Sequence, residues 1–216
     1  TNIKAIVFYR GGYGAIRTLE YLDFDIIKKN PKWIVGFSDV TTYHLALNKQ
    51  GIETIHGPML SSYWVRKRPD SAAISVGEAL FGRCEGYKIK PHPFNKFGEA
   101  TGKIAGGNMT LISIAEGTPY DNTIIFIEEV GESMNAIDGM MQQLKKSGKL
   151  AKAKAVLVGK FTKIDDTEDP WGITPEELIK KLAGLLETDG CLTIAHGMSF
   201  ARLSRHHDNV SEDVSN

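Results

Sequence analysis

The chain reads as an α/β protein with parallel strands, divided into two domains. Three observations predict this. Before Gly51, a β-branched apolar run twice gives way to a loop and then to helical spacing; such strand–loop–helix units imply parallel strands joined by helical crossovers. The same alternation returns after residue 120. Between the two regions, residues 86–102 (GYKIKPHPFNKFGEATG) shift to proline, glycine and lysine, the composition of a linker or an edge strand. The expected division is a nucleophile-bearing domain at 1–86, a linker at 87–101, a second domain at 102–200 and a disordered tail at 201–216.

The elements follow in order. Residues 3–9 (IKAIVFY) form a β-branched run expected to be a buried strand. After the loop Arg10-Gly11-Gly12-Tyr13-Gly14, the spacing of Ile16, Leu19 and Leu22 is helical. A second strand is expected at 33–37, then a helix at 40–49 with Gly51 as its stop. In the second domain, TIIFIEE at 123–129 and AVLVGKF at 155–161 read as strands. Between them Ile137, Met140, Met141 and Leu144 share one helical face, and Gly148 lies past its end. Thr174-Pro175-Glu176-Glu177 is a capping box, with proline at the first helical position. A last strand begins at Leu192, and beyond Ala201 the periodicity stops.

Bulk properties narrow the function. The chain has 216 residues and is 42% hydrophobic, enough for a core. Its 26 basic and 26 acidic side chains cancel, which gives no electrostatic reason to expect nucleic acid or an anionic membrane. The cysteines, Cys84 and Cys191, lie in no metal or redox motif and read as reduced thiols of a cytoplasmic protein. No run approaches the roughly 18–20 apolar residues of a membrane helix. The first residue is Thr1, not Met, so a fragment or a processed form is expected.

The chemistry concentrates at two strand ends. The loop from Gly11 to Gly14 fails the dinucleotide fingerprint, because Arg17 stands where the last glycine belongs. Glycines there instead let backbone amides approach a reacting carbonyl oxygen. Gly36-Phe37-Ser38-Asp39 half meets the G-x-S-x-G elbow. As N-caps, Ser38 and Asp39 would be unremarkable; at the carboxyl end of a parallel strand, Ser38 lies where α/β sheets bind ligands. A nucleophilic serine needs a base and an acid. Among the six histidines, His196 closes an apolar run and is the best place for a base; His56 could line a pocket, and His44 reads as structural. Glu128 and Glu129 end a strand, and one of them should face a crevice. No cluster suggests a metal.

Six motifs in order, Arg10-Gly11-Gly12-Tyr13-Gly14, Gly36-Phe37-Ser38-Asp39, His56-Gly57-Pro58-Met59, Gly106-Gly107-Asn108, Gly117-Thr118-Pro119 and Ile127-Glu128-Glu129-Val130-Gly131-Glu132, make the sequence resemble the LD-carboxypeptidases. These are serine peptidases that include the microcin C immunity hydrolases. The resemblance implies a flavodoxin- or Rossmann-like N-terminal domain, here partial, and a second α/β domain. It implies a Ser–Glu–His triad with Ser38 as nucleophile and Glu128 as its acid, and oxyanion donors from the backbone of Gly12 and Asp39. Arg10, Tyr13, Gly107 and Asn108 are assigned to the substrate. The implied reaction is hydrolysis of an L,D-amide in a murein-derived peptide, without metal or cofactor. The partner is a small peptide, not nucleic acid or membrane, and a homodimer is left open.

The sequence departs from the family in three ways. A strand–helix portion that precedes the glycine loop is missing. Ala136 and Gly139 stand where arginines are usual, and Arg202 falls at the histidine's place, with His196 off register. A guanidinium is no base near neutral pH. A one-base slip at Ala201-Arg202 would read His, which makes an out-of-frame tail one expectation and a non-catalytic peptide-binding module another.

Overall fold

The computed structural model describes residues 2–65, 71–83, 92–95, 99–115, 120–151, 153–166, 168–184, 191–193, 201–203 and 208–209. Two sheets form the frame. In the first, β1 (Ala5–Val7), β2 (Trp33–Gly36) and β3 (Thr54–His56) run parallel, and β8 (Ala201–Leu203) adds antiparallel to β3. The second has the order β7-β6-β5-β4-β9: β4 (Thr101–Asn108), β5 (Thr123–Val130), β6 (Ala155–Thr162) and β7 (Cys191–Thr193) are parallel, and β9 (Asp208–Asn209) pairs antiparallel with β4. Helices α1 (Phe24–Lys29), α2 (Thr41–Lys49), α3 (Leu60–Val65) and α4 (Ser71–Leu80) accompany the first sheet in sequence; α5 (Met109–Ile114), α6 (Met134–Lys146) and α7 (Pro175–Gly184) accompany the second. The α/β class expected from the sequence is the class observed.

The main core lies on the second sheet. Ile137, Met141 and Leu144 of α6 are buried with Ile125 and Ile127 of β5 and Val156 and Val158 of β6. Each such side chain contributes about 1.5–3 kcal/mol when fully buried. The expected helix face is therefore the packed one, with Met140 at its margin. Ser133 starts α6 by accepting the Ala136 N–H at 3.2 Å. The capping box of α7 is reciprocal: Thr174 N–H donates to Glu177 at 2.7 Å, and Glu177 N–H donates to the Thr174 hydroxyl at 3.2 Å.

Two local expectations change. The first strand is shorter than 3–9, and Ile6 is 46% exposed. Its sheet neighbour among the described residues is β2 alone, so one margin of β1 is unpaired there. Within the segment read as a tail, Ala201–Leu203 and Asp208–Asn209 lie in strands; strand pairing runs through main-chain groups and leaves no periodic signature in so short a run. Most of the linker at 87–101 falls outside the described residues, as do 204–207 and 210–216.

The sheets meet where α2 crosses the end of β4. A Cβ at Gly107 would stand 2.5 Å from the Thr41 hydroxyl oxygen, and the Asn108 N–H donates to that oxygen at 3.0 Å. Gly106, at φ 145°, lies so close to β5 that a Cβ would overlap the Phe126 carbonyl oxygen. Gly106→Ala is therefore expected to lose about 2–6 kcal/mol of stability through overpacking and backbone strain together. Urea unfolding measures this, and an unchanged midpoint would contradict so close an approach of β4 to β5.

Candidate active site

Strand β2 ends in a tight turn that carries Ser38. A Cβ at Gly36 would stand 2.8 Å from a Val40 methyl, so glycine is what lets the chain fold back onto itself there. Phe37 is extended, and Ser38 then takes φ 59° before a short 3-10 turn, Ser38–Val40, leads into α2. A left-handed conformation at a non-glycine residue costs about 1–2 kcal/mol. This strand–turn–helix shape is how a nucleophile elbow lifts a hydroxyl clear of the main chain. The capping alternative does not describe it. Val40 occupies the N-cap of α2, and no side chain bonds there.

The glycine loop lies against this turn. A Cβ on Gly11 would come within 3.1 Å of the Ser38 Cβ and 3.2 Å of its Oγ. Gly12 and Gly14 adopt φ 153° and 102°, conformations that side-chain-bearing residues rarely take. Arg10 is exposed, and Tyr13 is 88% exposed with the Arg17 guanidinium 5.5 Å from its ring centre.

The two glutamates at the end of β5 have different surroundings. Glu129 is buried and tied down: it accepts from Asn108 Nδ2 at 2.6 Å, from the Thr110 N–H and hydroxyl at 2.9 Å each, and from the Val130 N–H at 2.9 Å. Asn108 also caps α5 by accepting the Leu111 N–H at 3.4 Å. Its amide, assigned to the substrate from the sequence, is thus engaged at both ends within the protein. Glu128 has a side chain 15% exposed, with a buried Oε1 that has no hydrogen-bond partner. Burial first, and the neighbouring Glu129 second, push its carboxyl up from 4.5 to about 8.

Facing Glu128 is His56, a residue the sequence left unassigned. Its Nε2 lies 4.0 Å from Glu128 Oε1, too far for a hydrogen bond. Burial drives both groups toward neutrality, so this is not an ion pair either. Burial, then the nearby His44, lowers His56 from 6.5 to about 3. His44 falls to about 4 for the same first reason, partly offset by its bond to the Gly36 carbonyl at 2.9 Å. That bond makes His44 Nε2 the protonated nitrogen, and its unpartnered Nδ1 is then a lone pair rather than a stranded N–H. His56 packs edge-on against Phe126 with ring centres 5.1 Å apart.

The structure thus brings Gly11 to Ser38, Gly107 and Asn108 to the helix that follows Ser38, and His56 to Glu128. His196 and residues 197–200 lie outside the described residues. Arg202 is in β8, its backbone paired with Ile55, next in register to His56 with Ala201. The role of Thr41 as the link between sheets carried no sequence signal beyond its place after Ser38. His56 had one, the His-Gly-Pro turn at a strand end. Among the described residues no group of three His, Cys, Asp or Glu is placed to hold a metal ion, and no helix is long and apolar enough to cross a membrane.

Fold and site have the form of a two-sheet α/β protein with a serine elbow at the end of a parallel strand. Comparison with known proteins names the class. The LD-carboxypeptidase N-terminal domain matches residues 1–57, and the LD-carboxypeptidase C-terminal domain matches residues 101–209. The chain belongs to the LD-carboxypeptidase family. It is 36% identical over 185 residues to a putative carboxypeptidase of Synechocystis sp., covering 82% of this chain and 58% of that protein. It is 35% identical over 168 residues to a probable murein peptide carboxypeptidase of Bacillus subtilis, covering 74% of this chain and 53% of the relative. The chain therefore spans little more than half the length of these relatives. Among solved structures, the muramoyltetrapeptide carboxypeptidase of Oxalobacter formigenes superposes with a TM-score of 0.78 at 25% identity, over 95% of this chain and 74% of that one.

The buried titratable cluster gives stability a defined pH profile. His44 and His56 have folded values below the unfolded one, so their contribution is present above pH 6.5 and is lost as pH falls through about 4 and about 3. Glu128 has a raised folded value, so its contribution is present below pH 4.5 and is lost as pH rises through about 8. Each proton contributes a slope of about 1.4 kcal/mol per pH unit. From these groups, stability rises between pH 4.5 and 6.5, where two imidazoles outweigh one carboxyl, and falls from 6.5 to 8. Denaturant unfolding across this range should peak near pH 6.5, and Glu128→Gln should flatten the alkaline side. An alkaline side unchanged by that substitution would count against the buried neutral carboxyl.

Proposed function

We propose that the chain carries the nucleophile and acid of a serine LD-carboxypeptidase that releases a C-terminal D-amino acid from a murein-derived peptide. One observation supports this above the others: Ser38 sits at φ 59° at the end of a parallel strand with a glycine loop against it. In this reading Ser38 Oγ attacks the amide carbonyl while an imidazole takes its proton. The carbonyl oxygen becomes an oxyanion that accepts the N–H groups of Gly12 and Asp39. Each such donor lowers the barrier by about 3–4 kcal/mol. Collapse breaks the C–N bond, the imidazole returns the proton to the leaving amine, and water then attacks the acyl-serine by the same route. His196 is the proposed base. Glu128 orients and compensates the imidazolium, which requires its carboxylate form. Arg10 and Tyr13 are proposed to meet the peptide, with Gly107 and Asn108 shaping the floor beside them. The proposed compartment is the cytoplasm, and the ligand is a small peptide.

A second reading, a peptide-binding module without catalysis, is favoured by Arg202 at the family histidine's place. The two readings diverge on Ser38 itself. A fluorophosphonate should label the wild-type chain at Ser38 and leave Ser38→Ala unlabelled, and D-alanine should be released from an L,D-tetrapeptide. Binding of that peptide by calorimetry without labelling would favour the module.

The acid has its own signature. Glu128→Gln should lower kcat by about 10²–10⁴, the range by which general acid–base catalysis contributes. Because the proposed active form is the carboxylate, and Glu128 is raised to about 8, wild-type kcat should climb with pH through about 8. A rate already level from pH 6 would contradict that role.

A further inference from the structure

The loop that carries Gly12 is hydrogen-bonded at both ends and rich in glycine between them. At its start, the Phe8 N–H donates to Val35 O at 3.0 Å, and the Tyr9 carbonyl accepts from Ser61 N–H at 2.8 Å. At its end, the Ala15 N–H donates to Asp39 Oδ2 at 3.0 Å. Ala15 is the first residue of the 3-10 helix Ala15–Tyr21, whose N-cap, Gly14, has no side chain to offer. Helix starts leave N–H groups without main-chain partners, and here a carboxylate from a distant turn serves one of them. The Arg17 N–H bond to the Gly14 carbonyl, at 3.0 Å, belongs to the same turn. Between the fixed ends, Gly11, Gly12 and Gly14 lend the backbone no stiffness of their own.

We propose that the Asp39 carboxylate is a positioning group that holds the glycine loop against Ser38, so that one residue sets both halves of the oxyanion hole. Its backbone N–H is one donor. Its side chain, through Ala15, fixes the other donor at Gly12. The proposal rests on the hydrolase reading for its functional part and on geometry for the anchor. A second contact works in the same direction: Tyr43, one turn further along the same helical segment, hydrogen-bonds Thr18 across a 2.8 Å O···O distance. The Tyr43 ring stacks on Phe8 at 5.3 Å between ring centres. The elbow helix therefore braces the helix after the loop at two points, and only Asp39 does so at the loop's own end.

The bond, not the charge, is the active feature, so Asp39→Asn, which keeps an acceptor oxygen, separates the two. In Asp39→Ala, amides of residues 12–15 should exchange with deuterium about tenfold faster, while those of β5 and α6 stay as in wild type. Fluorophosphonate labelling of Ser38 and kcat should each fall about 30- to 100-fold, less than for outright loss of a donor, with KM changed less than threefold. Asp39→Asn should restore exchange protection and bring labelling to within about fivefold of wild type. Unchanged exchange in Asp39→Ala would overturn the anchor. Faster exchange with full labelling would overturn its role in the hole, and an Asn variant as impaired as Ala would assign the effect to charge. If Asp39→Ala fails to fold, Ala15→Pro removes the donor from the other side at a position where proline suits a helix start. Exchange is then read at residues 12–14; faster exchange with weaker labelling upholds the proposal, and unchanged exchange overturns it. If the wild-type chain neither labels nor hydrolyses, the hydrolase reading falls. The exchange measurements then decide the anchor alone: protection lost in Ala and regained in Asn upholds it, and no difference overturns it.

Discussion

The hydrogen bond from the Asn108 N–H to the Thr41 hydroxyl, at 3.0 Å, is the joint on which the site depends. Thr41 is the first residue of α2, three positions after Ser38. Asn108 is the last residue of β4 and pairs in register with Glu128 on β5. One bond from a main-chain N–H to a side-chain hydroxyl thus ties the end of the second sheet to the helix that follows β2 of the first. It requires Gly107, since any Cβ there would meet the Thr41 side chain. The Asn108 side chain extends the tie to Glu129, and Glu129 in turn holds the first turn of α5 through Thr110. Strand alternation does the rest. With Glu129 directed into that network, its neighbour Glu128 projects from the other face, toward His56.

This arrangement separates two carboxylates that the chain places side by side. Glu129 accepts four hydrogen bonds. Burial without hydrogen bonds favours the neutral form of a carboxyl. Glu128 has that environment, beside the buried His56. A group held neutral by burial is one that a new partner can ionise. An imidazolium formed beside it during a reaction is such a partner, while in the resting site the carboxylate is reached only as pH rises toward about 8. Glu128 is thus placed to respond to a base, whereas Glu129 is committed to its hydrogen bonds.

Much of this was legible in the sequence, and the reasons are local. The strand at 123–130, the packed face of α6 and the capping box of α7 each depend on residues close in the chain. The Gly-x-Ser turn was visible because Gly36 and Ser38 are neighbours. The choice between Glu128 and Glu129 came from resemblance, because alternation says that adjacent residues face opposite ways but not which way is inward. The Asn108 contacts within the protein had no local signal, since its partners lie 67 and 21 positions away. The exposure of Ile6 had no local signal either. A β-branched run looks the same at the margin of a sheet as at its centre, and only neighbouring strands distinguish the two.

Among the described residues, departures from local rules gather at one place. Elsewhere the helix starts are conventional: Asp23 caps α1 with two bonds, and Ser133 and Thr174 cap α6 and α7. At the joint between the sheets, a serine takes a left-handed conformation, a glutamate is buried with an unpartnered oxygen, and two histidines are buried with free ring nitrogens. Each departure costs stability, on the order of 1–3 kcal/mol. Two more positive-φ residues, Asn122 and Lys163, lie outside this region, and Asn122 is of a type that tolerates the conformation in turns. A structural joint alone does not explain Ser38, since Thr41 and Gly107 would join the sheets equally well with an unstrained residue at 38. The strain is spent on where a hydroxyl points, and that argues for chemistry at Ser38 more directly than any single motif in the sequence.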